Sequence, residues 1–121
     1  IYVTKPPRGY EFRTDDFSFS GSQTMNVTFR SQTNSDKATF IWYRNSYVCP
    51  DNYGYWNRFT SSGTTYYFSE HQSLGYSEAY WWYSGELFYA RVPYSFTRTD
   101  ATRFFNSLHS VSVGSSWNSW N

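Results

Sequence analysis

Few residues of this chain have the types and spacing that catalysis requires. Glu70-His71 is the only place where an acidic residue adjoins a histidine, and Asp15-Asp16 is an adjacent pair of carboxylates. Neighbouring strand residues point to opposite faces, so Asp15 and Asp16 make a poor acid–base pair. Two His and one Cys are too few for a metal site built from sequence-local ligands. The sequence therefore predicts a non-catalytic protein, with no catalytic residues, no metal site and no other cofactor.

Two positions bear on covalent modification. Cys49 is the only cysteine, so an intramolecular disulfide is excluded, and both a buried thiol and an intermolecular bond stay open. Asn26-Val27-Thr28 is a sequon for N-glycosylation. The apolar residues on either side of Asn26 claim the inner face of a strand, so we expect Asn26 to point outward, where a sugar can be attached.

Aromatic residues dominate the composition. They make up 25% of the chain, as 13 Tyr, 11 Phe and 6 Trp, against three Leu, two Ile and one Met. Any core must therefore be built mostly from rings. Because a tyrosine hydroxyl needs a partner or water, we expect many of the tyrosines to lie at the surface or at an interface.

Charge and hydropathy narrow the choice of partners. The formal net charge of +1 argues against a nucleic-acid binder that works by neutralising phosphates. No apolar stretch approaches the ~18 residues of a membrane-spanning helix. The sequence shows no initiator Met or signal peptide, and it is rich in Ser, Thr, Asn and Tyr. We therefore expect a processed chain that is secreted and extracellular.

Most of the chain shows the two-residue alternation of β-strands. "QTMNVTFR" and "ATFIWYR" each place rings and aliphatic groups on one face. Short strands between Gly, Asn and Ser turns predict one all-β domain over residues 1–121, an antiparallel β-sandwich with an immunoglobulin-like or jelly-roll-like topology. One short helix is predicted near 99–109, where four apolar residues recur with helical spacing. Thr99 or Asp100 is expected to cap this helix, and His109 to lie near its C-terminal end.

The segment "AYWWYSGELFYARV" (79–92) has the strongest pattern in the chain. A two-residue turn at Ser84-Gly85 would pair its strands in register, with opposite residues on a shared face. One face then carries Ala79, Trp81, Phe88 and Ala90, which suits a core. The other face is the predicted binding or assembly surface, formed by Glu78, Tyr80, Trp82, Leu87, Tyr89 and Arg91. Coverage of this second face by the protein's own loops or helix is the alternative.

The two chain ends have patterns of their own. The residues Ile1, Tyr2, Val3 and Thr4 are β-capable and precede Pro6-Pro7, so residues 1–7 are a possible N-terminal arm able to pair with a neighbouring molecule. The simpler alternative is that this segment is held by its own domain. Residues 114–121 form a C-terminal tail that contains Trp117 and Trp120.

These features favour a secreted structural subunit that self-assembles with copies of itself into a filament, pilus or matrix. The arm and the aromatic surface would make the contacts. The alternative is an extracellular carbohydrate-binding module, because sugars stack on exposed Trp and Tyr rings. A secreted toxin or enzyme inhibitor is the third prediction.

Overall fold

The computed structural model describes residues 1–20, 24–43 and 56–111. Over these ranges the chain forms nine strands and one α-helix. The strands are β1 (Tyr2–Val3), β2 (Tyr10–Ser20), β3 (Thr24–Ser31), β4 (Lys37–Tyr43), β5 (Asn57–Ser61), β6 (Thr64–His71), β7 (Tyr76–Tyr83), β8 (Glu86–Pro93) and β9 (His109–Ser110). The helix is α1 (Arg98–Phe105).

Seven of the strands form one antiparallel sheet in the order β2-β3-β4-β8-β7-β6-β5. The order arises from two meanders, β2-β3-β4 and β5-β6-β7-β8, which join where β4 pairs with β8. Strands β1 and β9 form a small second sheet that packs on one face of the first. The predicted all-β antiparallel sandwich is therefore confirmed, and its two sheets are very unequal in size.

The core lies between the large sheet and a layer made of α1 and the small sheet. Alternation in β3 buries Met25, Val27 and Phe29 and leaves Asn26 partly exposed on the opposite face, as the sequence predicts. Phe104 and Phe105 of α1 complete this core, and most of its large side chains are rings. We call the sheet face that is turned away from α1 the outer face.

Helix α1 confirms the predicted helix but begins and ends earlier than expected. Its N-cap is Thr97, whose hydroxyl accepts a hydrogen bond from the Asp100 N–H, while the Asp100 carboxylate accepts one from the Thr97 N–H. This reciprocal capping box is more favourable than a cap at Thr99 or Asp100, so the predicted capping residue is wrong. His109 lies beyond the helix, in β9.

The N-terminal residues belong to their own domain, so the prediction of a free arm is wrong for Ile1–Thr4. Tyr2 and Val3 pair with Ser110 and His109, and the Ile1 carbonyl accepts the Val111 N–H at 2.8 Å. Val3 and Thr4 are fully buried. Because Val3 and Thr4 are buried in the chain's own core, this segment is not a free arm.

Three residues of the sequence predictions lie outside the described ranges. They are Cys49 and the two tail tryptophans, Trp117 and Trp120. The predictions for the thiol and for the tail stay predictions.

Candidate functional site

The central hairpin, β7–β8, has the register that the sequence predicts. Ser84 and Gly85 form its turn, with φ of 54° and 78°, the positive values that a tight hairpin turn needs. Tyr83 then faces Glu86, Trp82 faces Leu87, and the pairing continues to Glu78 opposite Arg91. The face with Ala79, Trp81, Phe88 and Ala90 is buried in the core, as predicted.

The outer face of the hairpin is partly covered by the protein itself. Tyr80 and Leu87 are 0% and 2% exposed, so these two cannot offer the surface that the sequence predicts. The Trp56 ring packs edge-on against the Tyr80 ring, with 4.9 Å between their centroids. Tyr67 of β6 stacks on the same Tyr80 ring, with 5.0 Å between centroids. The alternative that the sequence left open, coverage by the protein itself, is therefore correct for Tyr80, but the covering groups are Trp56 and a ring of β6 and not the helix.

The other four residues of the predicted surface keep some accessibility. Trp82, Tyr89 and Glu78 are partly exposed, and Arg91 is exposed. Two further rings on neighbouring strands share the outer face and are also partly exposed, Tyr67 on β6 and Tyr43 on β4. We name Tyr43, Tyr67, Trp82 and Tyr89 the outer aromatic surface. It extends across four adjacent strands.

Polar side chains beside this surface form one connected network. The Tyr89 hydroxyl donates to Glu78 Oε1 at 2.8 Å and accepts from Arg91 Nε at 3.1 Å. The second carboxylate oxygen, Glu78 Oε2, lies 2.6 Å from His71 Nε2. The Arg91 guanidinium sits 3.9 Å from the centroid of the Tyr76 ring. We name Glu78, Tyr89, Arg91, His71 and Tyr76 the Glu78 network.

The network keeps the Tyr89 hydroxyl protonated. Burial, together with the hydrogen bond to the Glu78 carboxylate, raises the pKa of Tyr89 above its usual range, so the hydroxyl stays protonated and donating. Arg91 is held by its contacts with both Tyr89 and Tyr76. A guanidinium, a carboxylate and a phenol in fixed positions can recognise hydroxyl-bearing ligands.

Sequence reasoning missed His71, Tyr76 and Tyr67 as members of this site. Tyr67 lies opposite Tyr80, and His71 lies opposite Tyr76. Glu78 and His71 are diagonal neighbours across β6 and β7, a distance that long side chains can bridge. The alternation in "TTYYFSEH" places Tyr67 and His71 on one face, so a β6–β7 register would have found both residues.

The remaining predicted site residue is Asn26. It pairs with Ile41 on the outer face and is partly exposed, at the position that the sequence predicts. Its glycosylation stays a prediction. Among residues 1–20, 24–43 and 56–111, no three His, Cys, Asp or Glu side chains are grouped so that they could hold a metal ion. In the same ranges, no helix has the length and hydropathy to cross a membrane.

No family model matches this chain, and comparisons with curated proteins and with solved structures show no significant match. The outer aromatic surface and the Glu78 network are therefore the features of the molecule that indicate a function.

Proposed function

We propose that the protein is a secreted, non-catalytic carbohydrate-binding module that holds a polysaccharide chain on its outer aromatic surface. The observation that carries the proposal is the partly exposed set of rings on four adjacent strands, directly beside the ordered Glu78 network. Rings offer flat apolar faces to the C–H groups of a sugar, while Glu78 and Arg91 offer an acceptor and donors for its hydroxyls.

The arrangement suits a ligand that is long and flat. The rings are spread over neighbouring strands of one sheet, so together they form an extended face. The Tyr67 ring stacks on the Tyr80 ring. The Trp82 ring packs edge-on against both, with centroid distances of 5.9 Å to Tyr67 and 5.4 Å to Tyr80. Support of this kind fixes the ring orientations before the ligand arrives, which reduces the ordering cost of binding.

Self-assembly is the competing use of the same surface, because protein interfaces are also rich in Tyr, Trp and Arg. It loses one of its two supports, since Ile1–Thr4 is bound within its own domain. Carbohydrate binding needs only the outer face and is therefore the better supported function.

The test is retention of the purified protein on insoluble polysaccharides, followed by calorimetry with soluble oligosaccharides of the polymer that retains it. We expect Trp82→Ala to weaken binding by about 1–3 kcal/mol, by analogy with the loss of a base-stacking ring. The matched control is Tyr83→Ala, which removes the next ring along β7. That ring is 48% exposed and lies on the opposite face of the strand.

Two outcomes would contradict the proposal. One is a wild-type protein that no polysaccharide retains. The other is a concentration-dependent oligomer, measured by light scattering, that Trp82→Ala dissolves, because the aromatic surface would then serve self-assembly.

A further inference from the structure

Two adjoining grooves border α1, on the layer opposite the outer aromatic surface. The first has a volume of about 680 Å³ and lies between α1 and β5, with Phe59, Arg98 and Asn106 among its lining residues. The second, of about 440 Å³, lies between α1 and the Lys5–Arg8 segment. Arg103 and Ser107 line both grooves. Together they have room for several sugar units.

The lining of these grooves is strongly basic. Four exposed cations border them: Arg98, Arg103, Lys5 and Arg8. None of the four lies within ion-pair distance of a carboxylate in the part of the chain that the structure describes. Asp100, the one acidic residue of the lining, is engaged by the Thr97 N–H in the capping box.

Three of the four other arginines in the described structure have acidic or phenolic partners, and the fourth, Arg58 on β5, is exposed with no such partner. Arg30 forms a two-bond pair with Asp16 at 2.6 and 2.8 Å, and Arg13 contacts Glu11. Arg91 belongs to the Glu78 network. The net charge of the whole chain is only +1, so the unpaired positive charge around α1 is a local concentration and not a property of the whole surface.

Several lining groups are already held in place without a ligand. The Arg98 guanidinium lies 4.0 Å from the centroid of the Phe59 ring. Asn106 donates from Nδ2 to Ser61 Oγ at 3.0 Å and accepts the Tyr66 hydroxyl at 2.5 Å through Oδ1. Guanidinium groups, amide and hydroxyl groups and ring walls in one groove match the anionic groups, hydroxyls and C–H faces of an acidic sugar.

We propose that the α1 grooves bind an acidic oligosaccharide, with carboxylate or sulfate groups placed against Arg98 and Arg103. The inference takes its ligand class from the proposed function but uses a different surface. The module would then hold a neutral stretch of polysaccharide on one layer and an acidic stretch on the other. The low net charge disfavours a nucleic-acid ligand, because tight binding of nucleic acid needs many cations along the phosphate backbone.

The test is calorimetry with a sulfated tetrasaccharide, an oligogalacturonate, a neutral oligosaccharide and a single-stranded DNA of matched charge. We expect the double variant Arg98→Gln/Arg103→Gln to lose about tenfold or more in affinity for an acidic sugar. Binding should also weaken between about 50 and about 200 mM NaCl. The control is Arg13→Gln, an exposed arginine on β2 that is paired with Glu11.

The outcomes separate this inference from the proposed function. Loss of acidic-sugar binding in the double variant, but not in Trp82→Ala, supports the α1 grooves even if no neutral polymer is retained. Retention of a neutral polymer that only Trp82→Ala abolishes, with no binding of acidic sugars, overturns the inference and leaves the proposed function intact. DNA binding as tight as sugar binding also overturns it. Nuclear magnetic resonance shifts of the Asn106 side-chain amide provide a second measurement of occupancy in folded protein.

Discussion

The Tyr89 hydroxyl on β8 donates a hydrogen bond of 2.8 Å to the Glu78 carboxylate on β7 and accepts one from Arg91 two residues along its own strand. Tyr89 thus connects an acid and a base across the central hairpin. Its ring belongs to the outer aromatic surface while its hydroxyl holds the Glu78 network together. One residue therefore links the apolar and the polar halves of the proposed site.

Removing this single oxygen tests the link. We expect Tyr89→Phe to lower the free energy of unfolding by about 1 kcal/mol, because one carboxylate oxygen loses a donor while the ring stays in place. Affinity for the bound polysaccharide should also fall, since Arg91 and Glu78 lose their common partner. Urea denaturation and calorimetry measure the two effects. Tyr83→Phe, at an exposed tip position, should change neither, and equal effects in the two variants would refute the role of Tyr89.

The register and faces of the β7–β8 hairpin could be predicted in detail because they depend only on residues within the hairpin. Gly85 readily adopts the positive φ that a two-residue turn needs. The turn sets the register, and the register sets the face of every residue from Glu78 to Arg91. Alternation likewise identifies the buried faces of β3 and β4. These features need no knowledge of how distant segments meet.

The sequence predictions that are wrong concern residues whose surroundings are set by tertiary contacts. Tyr80 is buried by Trp56, which belongs to a different part of the sequence, and no local pattern shows that contact. The pairing of His71 with Glu78 needs the register of β6 on β7. The N-terminal residues read as a possible arm because their partner strand, β9, lies near the other end of the chain. Sequence periodicity tells which face a residue occupies but not what covers that face.

The capping box of α1 gives a matched pair of substitutions. Thr97→Ala removes the hydroxyl that accepts the Asp100 N–H, and we expect a loss of about 1 kcal/mol in stability. Thr99→Ala, an exposed change inside the helix, should be neutral or stabilising, because alanine is the better helix former. Thermal or urea unfolding of both variants measures the difference. A larger loss for Thr99→Ala would show that the helix begins at the later cap.

The N-terminal strand tests whether residues 1–4 serve the fold or an assembly. We expect Val3→Ala to cost about 2 kcal/mol, since Val3 is fully buried, and removal of residues 1–4 to cost more, since it also uncovers Val111. Lys5→Ala, an exposed change that keeps the backbone bond to Ser107, should cost less than about 0.5 kcal/mol. A truncated chain of unchanged stability that has lost the ability to self-associate would restore the assembly hypothesis.

Alkaline pH should destabilise the protein through buried tyrosines, most clearly Tyr66. Burial raises the pKa of Tyr66 to about 12, from about 10 in an unfolded chain, and its hydroxyl donates to Asn106 at 2.5 Å. Because the folded pKa is the higher one, the stabilisation from the protonated hydroxyl is complete below about pH 10. It is lost as the pH rises toward 12. We expect Tyr66→Phe to be less stable than wild type by about 1 kcal/mol at pH 7. The gap should close above about pH 10 and change sign before about pH 12, because ionising a group whose pKa rises from about 10 to about 12 on folding costs wild type more than about 1 kcal/mol. Urea unfolding at a series of pH values measures the gap, and Tyr83→Phe, at an exposed ring, should follow the wild-type curve. Parallel curves for wild type and Tyr66→Phe up to pH 12 would show that the Tyr66 hydroxyl does not titrate differently in the folded and unfolded chains.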